Sequence, residues 1–405
     1  MFVYTQPTTT TKTKKKKILF QPKLQMTSEC SSTGTGMRAL ILVGGFGTRL
    51  RPLTFTVPKP LVPFCNKPMI IHQVEALKEA GVTEVVLAVA YRPDAMKEEM
   101  DAWGEKLGVK FVFSLEEEPM GTAGPLALAR DILMQDDKPF FVLNSDVTCR
   151  FPLRELLAFH KNHGKEGTIM VTKVSEWDKY GVVVYDKSNF KIEQFVEKPK
   201  TYVGDRINAG IYVFNKSILN RIPKQRTSIE KEIFPQMAGA GQLFAYNLES
   251  FWMDIGQPAD FIQGTSKYLL SVLGTDKETE EFWTEETEVG GDITVLGCCL
   301  VDKTAKIGRG SVIGPNVAIG RNCVIGENCR IENSSIFENT KVGKATRISK
   351  SIIGWNNVIG SWCHITNTSV LGDDVTVEES RFANGVKVLP NKTISTHYFE
   401  PAIIM

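Results

Sequence analysis

The 405-residue chain lacks the features that would place it in several broad classes. No apolar run reaches the roughly 18 residues that a membrane-spanning helix needs, so no membrane partner is expected. The eight cysteines are scattered apart from the adjacent Cys298-Cys299. They make neither a dense disulfide framework nor C-x-x-C zinc pairs, which predicts free thiols and a cytoplasmic setting. The five histidines fall in no recognisable catalytic motif. Arginine is absent from residues 1–36, which speaks against an organelle transit peptide, and no apolar stretch follows the early lysines as a secretory signal requires. Two familiar phosphate loops are also missing, G-x-x-x-x-G-K-[ST] and the full G-x-G-x-x-G.

Charge is uneven. Residues 1–36 hold six lysines against Glu29, about +5, which leaves about −3 of the total +2 for the rest. A mildly acidic body argues against nucleic acid as a partner. The Thr-, Lys- and Ser-rich residues 1–36 predict a disordered basic extension.

From Met37 the pattern alternates: strand Ala39–Val43, helix Pro68–Ala80, strand Glu84–Ala90, helix Asp94–Leu107, strand Lys110–Ser114, helix Ala123–Met134, strand Pro139–Asn144. Alternation at these lengths predicts an α/β domain over residues 37–271, with a mostly parallel sheet between helices. Denser strands follow (Thr168–Val174, Gly181–Tyr185, Ile192–Glu197, Ala209–Phe214), then helical stretches near Ser228–Ala238 and Ala259–Leu270. Residues 272–291 carry six glutamates and predict an acidic linker. Beyond it Val295, Val301, Ile307, Ile313, Ile319, Ile325, Ile331 and Phe337 recur every six residues, and the register resumes from Ile353 to Val377. A hexapeptide period predicts a parallel β-helix over 292–405, because each coil buries one aliphatic position only when stacked on its neighbours. Cys323, Cys329, Cys363, Trp362 and His364 within it are expected to fill core or corner positions.

One stretch carries chemistry, Ala39 to Pro63. An apolar strand stops at Gly44-Gly45-Phe46-Gly47, where glycines allow a tight turn and close ligand approach. Such a loop directs backbone N–H groups at an anion. Arg49, Arg51 and the proline-flanked Lys59 follow, so a polyphosphate site is expected. Asp146 ends an apolar strand and so reaches the carboxyl edge of the sheet, where ligands of open α/β sheets bind. Asp254 is polar within Phe251-Trp252-Met253-Asp254-Ile255-Gly256. Singly, each aspartate reads as a cap or an ion-pair member. Together with the loop they suit Mg²⁺, held by two carboxylates plus substrate phosphates.

Gly44-Gly45-Phe46-Gly47-Thr48-Arg49-Leu50-Arg51-Pro52-Leu53-Thr54 with Pro58-Lys59-Pro60 resembles the signature of the sugar-nucleotide pyrophosphorylases, or nucleotidyltransferases. The resemblance runs through nearly all of the chain after Met37. It implies a Rossmann-like nucleotidyltransferase domain followed by a left-handed β-helix. It also implies metal-binding roles for Asp146 and Asp254, and a nucleobase loop at Gly121 and Thr122. Phosphate contacts would come from Gly44, Gly45, Gly47, Thr48, Arg49 and Lys59. Lys198, in Glu197-Lys198-Pro199, would contact the sugar phosphate. Glu197, Asn208, Asp254 and, more weakly, Gly181 would face the sugar.

The stretches Phe64–Pro68, Phe159–Thr168, Thr227–Pro235 and Glu400–Met405 look like the eukaryotic mannose-1-phosphate guanylyltransferases of catalytic, beta type. That implies GTP and mannose 1-phosphate as substrates and GDP-mannose as product. It implies association through the β-helix, as a homo-oligomer or with a regulatory alpha-type subunit. An ADP- or UDP-glucose pyrophosphorylase, an acetyltransferase-bearing bifunctional enzyme and a non-catalytic regulatory subunit remain the alternatives.

Overall fold

A computed structural model describes residues 18–19, 36–45, 47–89, 93–273 and 292–405. Two units follow one another, an α/β domain to Leu273 and a β-helix from residue 292. The central sheet runs Ile192–Glu197, Gly181–Tyr185, Arg206–Phe214, Phe140–Asn144, Met37–Leu42, Val82–Val89, Lys110–Leu115. Met37–Leu42 pairs in parallel with Val82–Val89 on one side and Phe140–Asn144 on the other. Past Phe140–Asn144 the pairing turns antiparallel. The carboxyl ends of Met37–Leu42 and Phe140–Asn144 emerge side by side where strand order reverses, the place where open α/β sheets hold ligands.

The elements follow the expected order with shifted ends. Met37–Leu42 is apolar and nearly all buried, as a strand covered on both faces must be. The helix expected near Ala123–Met134 is two short turns, Gly124–Leu128 and Arg130–Leu133. That expected near Ser228–Ala238 opens as a π-turn, Ile229–Ile233, before Phe234–Gly239. Helix Leu153–His163 and strand Leu243–Asn247 were not anticipated. In the helix, the apolar Leu153, Leu156 and Leu157 stripe was outweighed by the flanking polar residues. Within residues 1–36, Ile18–Leu19 pairs in parallel with Cys299 and Leu300 at the first β-helix coil. The other residues up to 35, and 274–291 of the expected linker, lie outside the described residues.

The β-helix is built of three sheets whose successive coils are 17 or 18 residues apart up to a last step of 16, consistent with the left-handed form expected. Its inward column is Val301, Ile307, Ile313, Ile319, Ile325, Ile331, then Ile336. Phe337 is therefore not a core position. The step there is five residues, and Phe337 points out towards the α/β domain. Cys323, Cys329 and Cys363 fill the core, Trp362 sits exposed at a corner with φ 62°, and His364 lies on the outer strand face. Corner asparagines adopt positive φ, which that side chain tolerates. Asn322, Asn339 and Asn356 donate in series, at 3.1, 3.2 and 2.9 Å, ending on Asp373. All seven described cysteines are free. No helix among the described residues is long and apolar enough to cross a membrane.

The two units share a core. Leu50, Leu53, Val62, Phe64, Ile255 and Phe261 pack with Leu300, Phe337, Ile352, Trp355 and Val370. Ring centroids run Phe64–Phe261 5.3 Å, Phe261–Phe337 6.3 Å and Phe337–Trp355 4.9 Å. In the same seam the Cys65-Asn66 turn, both residues at positive φ, lets Asn66 Nδ2 donate to Ile319 O at 2.7 Å.

A polar ring ties helix Leu153–His163 to the sheet. Lys165 N–H donates to His163 Nδ1 (3.0 Å), so His163 Nε2 carries the proton and donates to Thr168 Oγ1 (2.7 Å). Thr168 then donates to His160 Nδ1 (2.9 Å), His160 Nε2–H to Asn215 Oδ1 (3.2 Å), and Asn215 Nδ2 to Lys165 O (2.8 Å). The ring closes only with both imidazoles neutral. Burial lowers both pKa values, His163 to about 4. Rings held neutral in the fold contribute stability that is complete above the ordinary value near 6.5 and is lost as pH falls towards 4. Thr168→Val should lose about 1–3 kcal/mol, because it strands two buried ring nitrogens. Urea unfolding at pH 7 and pH 5 checks both statements, and wild-type stability unchanged between them would show that the rings are not held neutral.

Candidate active site

Gly45 and Gly47 of the first loop have φ of 116° and 60°. A Cβ on Gly47 would lie 3.0 Å from Lys59 Cβ and Thr54 Cγ2, so the turn requires glycine there. Thr54 Oγ1 donates to Gly47 O at 2.8 Å and pins the loop. The single turn Thr48–Leu50 sends Arg49 outwards and buries Leu50. Pro58 and Pro60 frame Lys59 at the start of another turn, Lys59–Leu61, and its ammonium lies 2.5 Å from Asp146 Oδ2. Arg49 stands 3.7 Å from Asp146 and 3.8 Å from Asp254.

The aspartates are held by paired strands. Asp146 sits in the turn between Phe140–Asn144 and Val147–Cys149, and the latter runs antiparallel to Trp252–Asp254 with Asp254 opposite Val147. Ile255 N–H donates to Asp146 O at 2.8 Å, and Gly256 N–H to Asp254 Oδ1 at 2.8 Å. Burial, then the neighbouring Asp146 charge, raises the Asp254 pKa, against the pull of Gly256 N–H, Lys59 and Arg49. Two carboxylates, Asp146 and Asp254, converge beside two cations, Lys59 and Arg49, in one compact cluster of mixed charge. A Cβ on Gly256 would lie 2.8 Å from Asp254 Oδ1, 2.9 Å from Lys59 Nζ and 3.0 Å from Arg49 Nη2. Gly256 thus leaves room between Asp254, Lys59 and Arg49 that any side chain would fill. Hard oxygen donors around such a space fit Mg²⁺ completed by phosphate oxygens. Among the described residues, no group of three or more His, Cys, Asp or Glu side chains gathers to hold a metal unaided.

Beside this cluster a cavity of about 550 Å³ is lined by Gly44, Gly45, Lys59, Glu116, Gly121, Thr122, Asn144 and Asp146, among others. Gly121 has φ 75°, and a Cβ there would meet Thr227 O at 2.5 Å. Thr122 Oγ1 donates to Glu230 Oε2 (2.5 Å) and accepts Ile229 N–H (2.9 Å). Gly47 and Thr48 support the loop from outside that lining.

The expected sugar-side residues form a second group on the antiparallel strands. Gly181 pairs with Glu197, whose carboxylate a Cβ on Gly181 would crowd at 2.8 Å. Burial and the nearby Glu230 raise the Glu197 pKa, against the pull of Lys198 and Lys231. Lys198 has φ 45°, a strained backbone of the kind that gathers at functional positions. Its ammonium is exposed, 3.8 Å from Glu197 and outside ion-pair distance of Asp146 and Asp254. Its N–H donates to Tyr180 O at 3.2 Å, and the Tyr180 ring packs 5.3 Å from Trp252, two residues before Asp254. Asn208 donates to Tyr212 Oη at 2.8 Å beside the bulge at Gly210.

Sequence reasoning passed over Glu116 and Gly256. Glu116 follows the apolar Lys110–Leu115 at the same carboxyl edge as Asp146 and is only 6% exposed. The logic that singled out Asp146 applied equally to it. Gly256 carries no signal, because its requirement is space.

The family profile described as Nucleotidyl transferase matches residues 38–271, and that described as GMPPB C-terminal domain matches 295–404. Xenopus laevis mannose-1-phosphate guanyltransferase beta-B is 53% identical over 91% of this chain and 100% of its own. The mannose-1-phosphate guanylyltransferase catalytic subunit beta of Dictyostelium discoideum is 55% identical over the same shares. A putative glucose-1-phosphate thymidylyltransferase from Bacillus anthracis shares the fold, with TM-score 0.52 and 24% identity over 56% of this chain and 93% of that one.

Gly256→Ala should fold normally yet bind inorganic pyrophosphate at least about tenfold more weakly by calorimetry, since displacing Lys59 and Arg49 disturbs charge-assisted contacts worth a few kcal/mol. Unchanged binding would show that the cluster has room to spare.

Proposed function

The chain belongs to the nucleotidyl transferase family, with the mannose-1-phosphate guanylyltransferases, and we infer that it makes GDP-mannose and pyrophosphate from GTP and mannose 1-phosphate. What carries nucleotidyl transfer is the convergence of Lys59, Asp146 and Asp254 beside the glycine loop at one sheet edge. A phosphate oxygen of the sugar phosphate attacks the α-phosphorus of GTP in line, and pyrophosphate leaves. Both reactants are anions, so positioning and fixed positive charge supply most of the catalysis.

Arg49 and Lys59 neutralise the departing pyrophosphate, while the backbone of Gly44, Gly45, Gly47 and Thr48 cradles the phosphates. Gly121 and Thr122 lie against the base. Lys198 aims the incoming phosphate, with Glu197, Asn208 and Gly181 around the sugar. Asp146 and Asp254 would hold Mg²⁺, which supplies charge neutralisation at the α-phosphate. A metal there also answers the raised Asp254 pKa, because a cation favours the ionised carboxylate.

Glu116 favours guanine. Its Oε2 accepts Met120 N–H at 3.0 Å, which leaves Oε1 towards Gly44 in the cavity. A carboxylate accepts from guanine N1–H and the exocyclic amine, and repels the N1 lone pair of adenine. The free thiols fit a cytoplasmic setting. The β-helix offers outer faces for self-association or for an alpha-type regulatory partner.

Pyrophosphate release across GTP, ATP and UTP with mannose and glucose 1-phosphates should be fastest for GTP with mannose 1-phosphate. Asp254→Asn and Lys198→Ala should fold but lose turnover, and parental rates in both would refute the assignment. Glu116→Gln should lower kcat/KM for GTP about 5- to 100-fold, the range of a specific base contact of about 1–3 kcal/mol.

A further inference from the structure

We propose that Gln73, on the buried face of helix Met69–Glu79, is a positioning residue for both aspartates. The inference rests on the reading of Asp146 and Asp254 given above. Gln73 is fully buried. Its Nε2 donates to two main-chain carbonyls, Asn144 O at 2.8 Å and Val147 O at 3.1 Å. These carbonyls stand on either side of Ser145-Asp146, so one side-chain amide clamps the two ends of the turn that presents Asp146. Val147 is also the residue opposite Asp254 in the two-stranded pair, and Asp146 O accepts Ile255 N–H. The same clamp therefore fixes the strand on which Asp254 is registered.

Two further observations separate this role from plain packing. Gln73 Oε1 has no hydrogen-bond partner among the described residues. A buried unpaired acceptor is destabilising, and leucine or methionine would fill the space without it. What the amide adds is its pair of donors. The orientation is also fixed by chemistry, since turning the amide over would set its oxygen against two carbonyl oxygens with no proton between them. Helix Met69–Glu79 is itself anchored away from the site, through His72 Nε2 to Phe64 O at 2.8 Å, so the clamp is attached to something rigid.

The test compares Gln73→Met, which keeps the volume and removes both donors, with Gln73→Glu. A glutamate facing two carbonyls has its pKa raised by burial and by those acceptors, and in its neutral form it donates one O–H. Binding of manganese(II) with GTP is followed by loss of the free-ion paramagnetic resonance signal, and turnover by pyrophosphate release, both on the full chain. Gln73→Met should weaken metal–nucleotide binding and lower kcat by about 10- to 100-fold each, the range for residues that orient metal ligands without touching the metal. KM for mannose 1-phosphate should change less than about twofold. Gln73→Glu should recover part of both at low pH and lose it as pH rises, a limb that wild type does not show. Parental manganese binding and kcat in folded Gln73→Met would overturn the proposal. So would a Gln73→Glu pH profile parallel to wild type, which decides the matter if Gln73→Met does not fold. Asp254→Asn serves as the control. If it binds manganese(II) with GTP as wild type does, the functional reading fails, and the Gln73 proposal fails with it.

Discussion

Like charges brought together need a compensating charge, and the α/β domain is arranged around that requirement. Asp146 and Asp254 are delivered to one point by two short antiparallel strands, and burial, then the Asp146 charge, makes Asp254 harder to ionise. Lys59, held at 2.5 Å by its flanking prolines, and Arg49 at 3.7–3.8 Å balance the two carboxylates in formal charge. Nearly every neighbouring constraint serves this arrangement. Gly47 allows Lys59 to approach, Gly256 keeps the shared space clear, and Thr54 ties the loop down. On the proposed assignment, a triphosphate enters a place where fixed cations already face a pair of carboxylates, so little reorganisation remains for the reacting complex.

The ends proposed for the base and the sugar are organised differently. At the nucleobase end, backbone carries the shape: Gly121 fits under Thr227, and Thr122 is bonded to Glu230. At the sugar end, side chains carry it, and Lys198 reaches out from a strained backbone position into open space. That lysine is not drawn into the aspartate cluster. Its one carboxylate neighbour among the described residues is Glu197 at 3.8 Å, and its ammonium remains exposed.

Much of this was legible in the sequence because it is written in local patterns. The glycine loop, the prolines around Lys59, the strand before Asp146 and the six-residue aliphatic period are all contiguous signals. What escaped depends on distance in space. Glu116 follows a strand just as Asp146 does, but no charge pattern marks it, and its burial shows only in the folded chain. Gly256 is required only because three side chains from three segments crowd it. Helix Leu153–His163 was hidden because two of its polar residues, His160 and His163, face a buried hydrogen-bond ring instead of solvent. Phe337 satisfied the period but faces outwards, since a five-residue step moves the column onto Ile336.

The aromatic row from Phe64 through Phe261 and Phe337 to Trp355 crosses from one unit into the other. Leu50, next to Arg49, is wholly buried in that same seam. Cutting the chain between the units would wet Leu50, Leu53, Phe64 and Phe261 together, each worth roughly 1.5–3 kcal/mol when kept dry. The β-helix thus packs against the apolar underside of the loop that carries Arg49, and keeps that side dry.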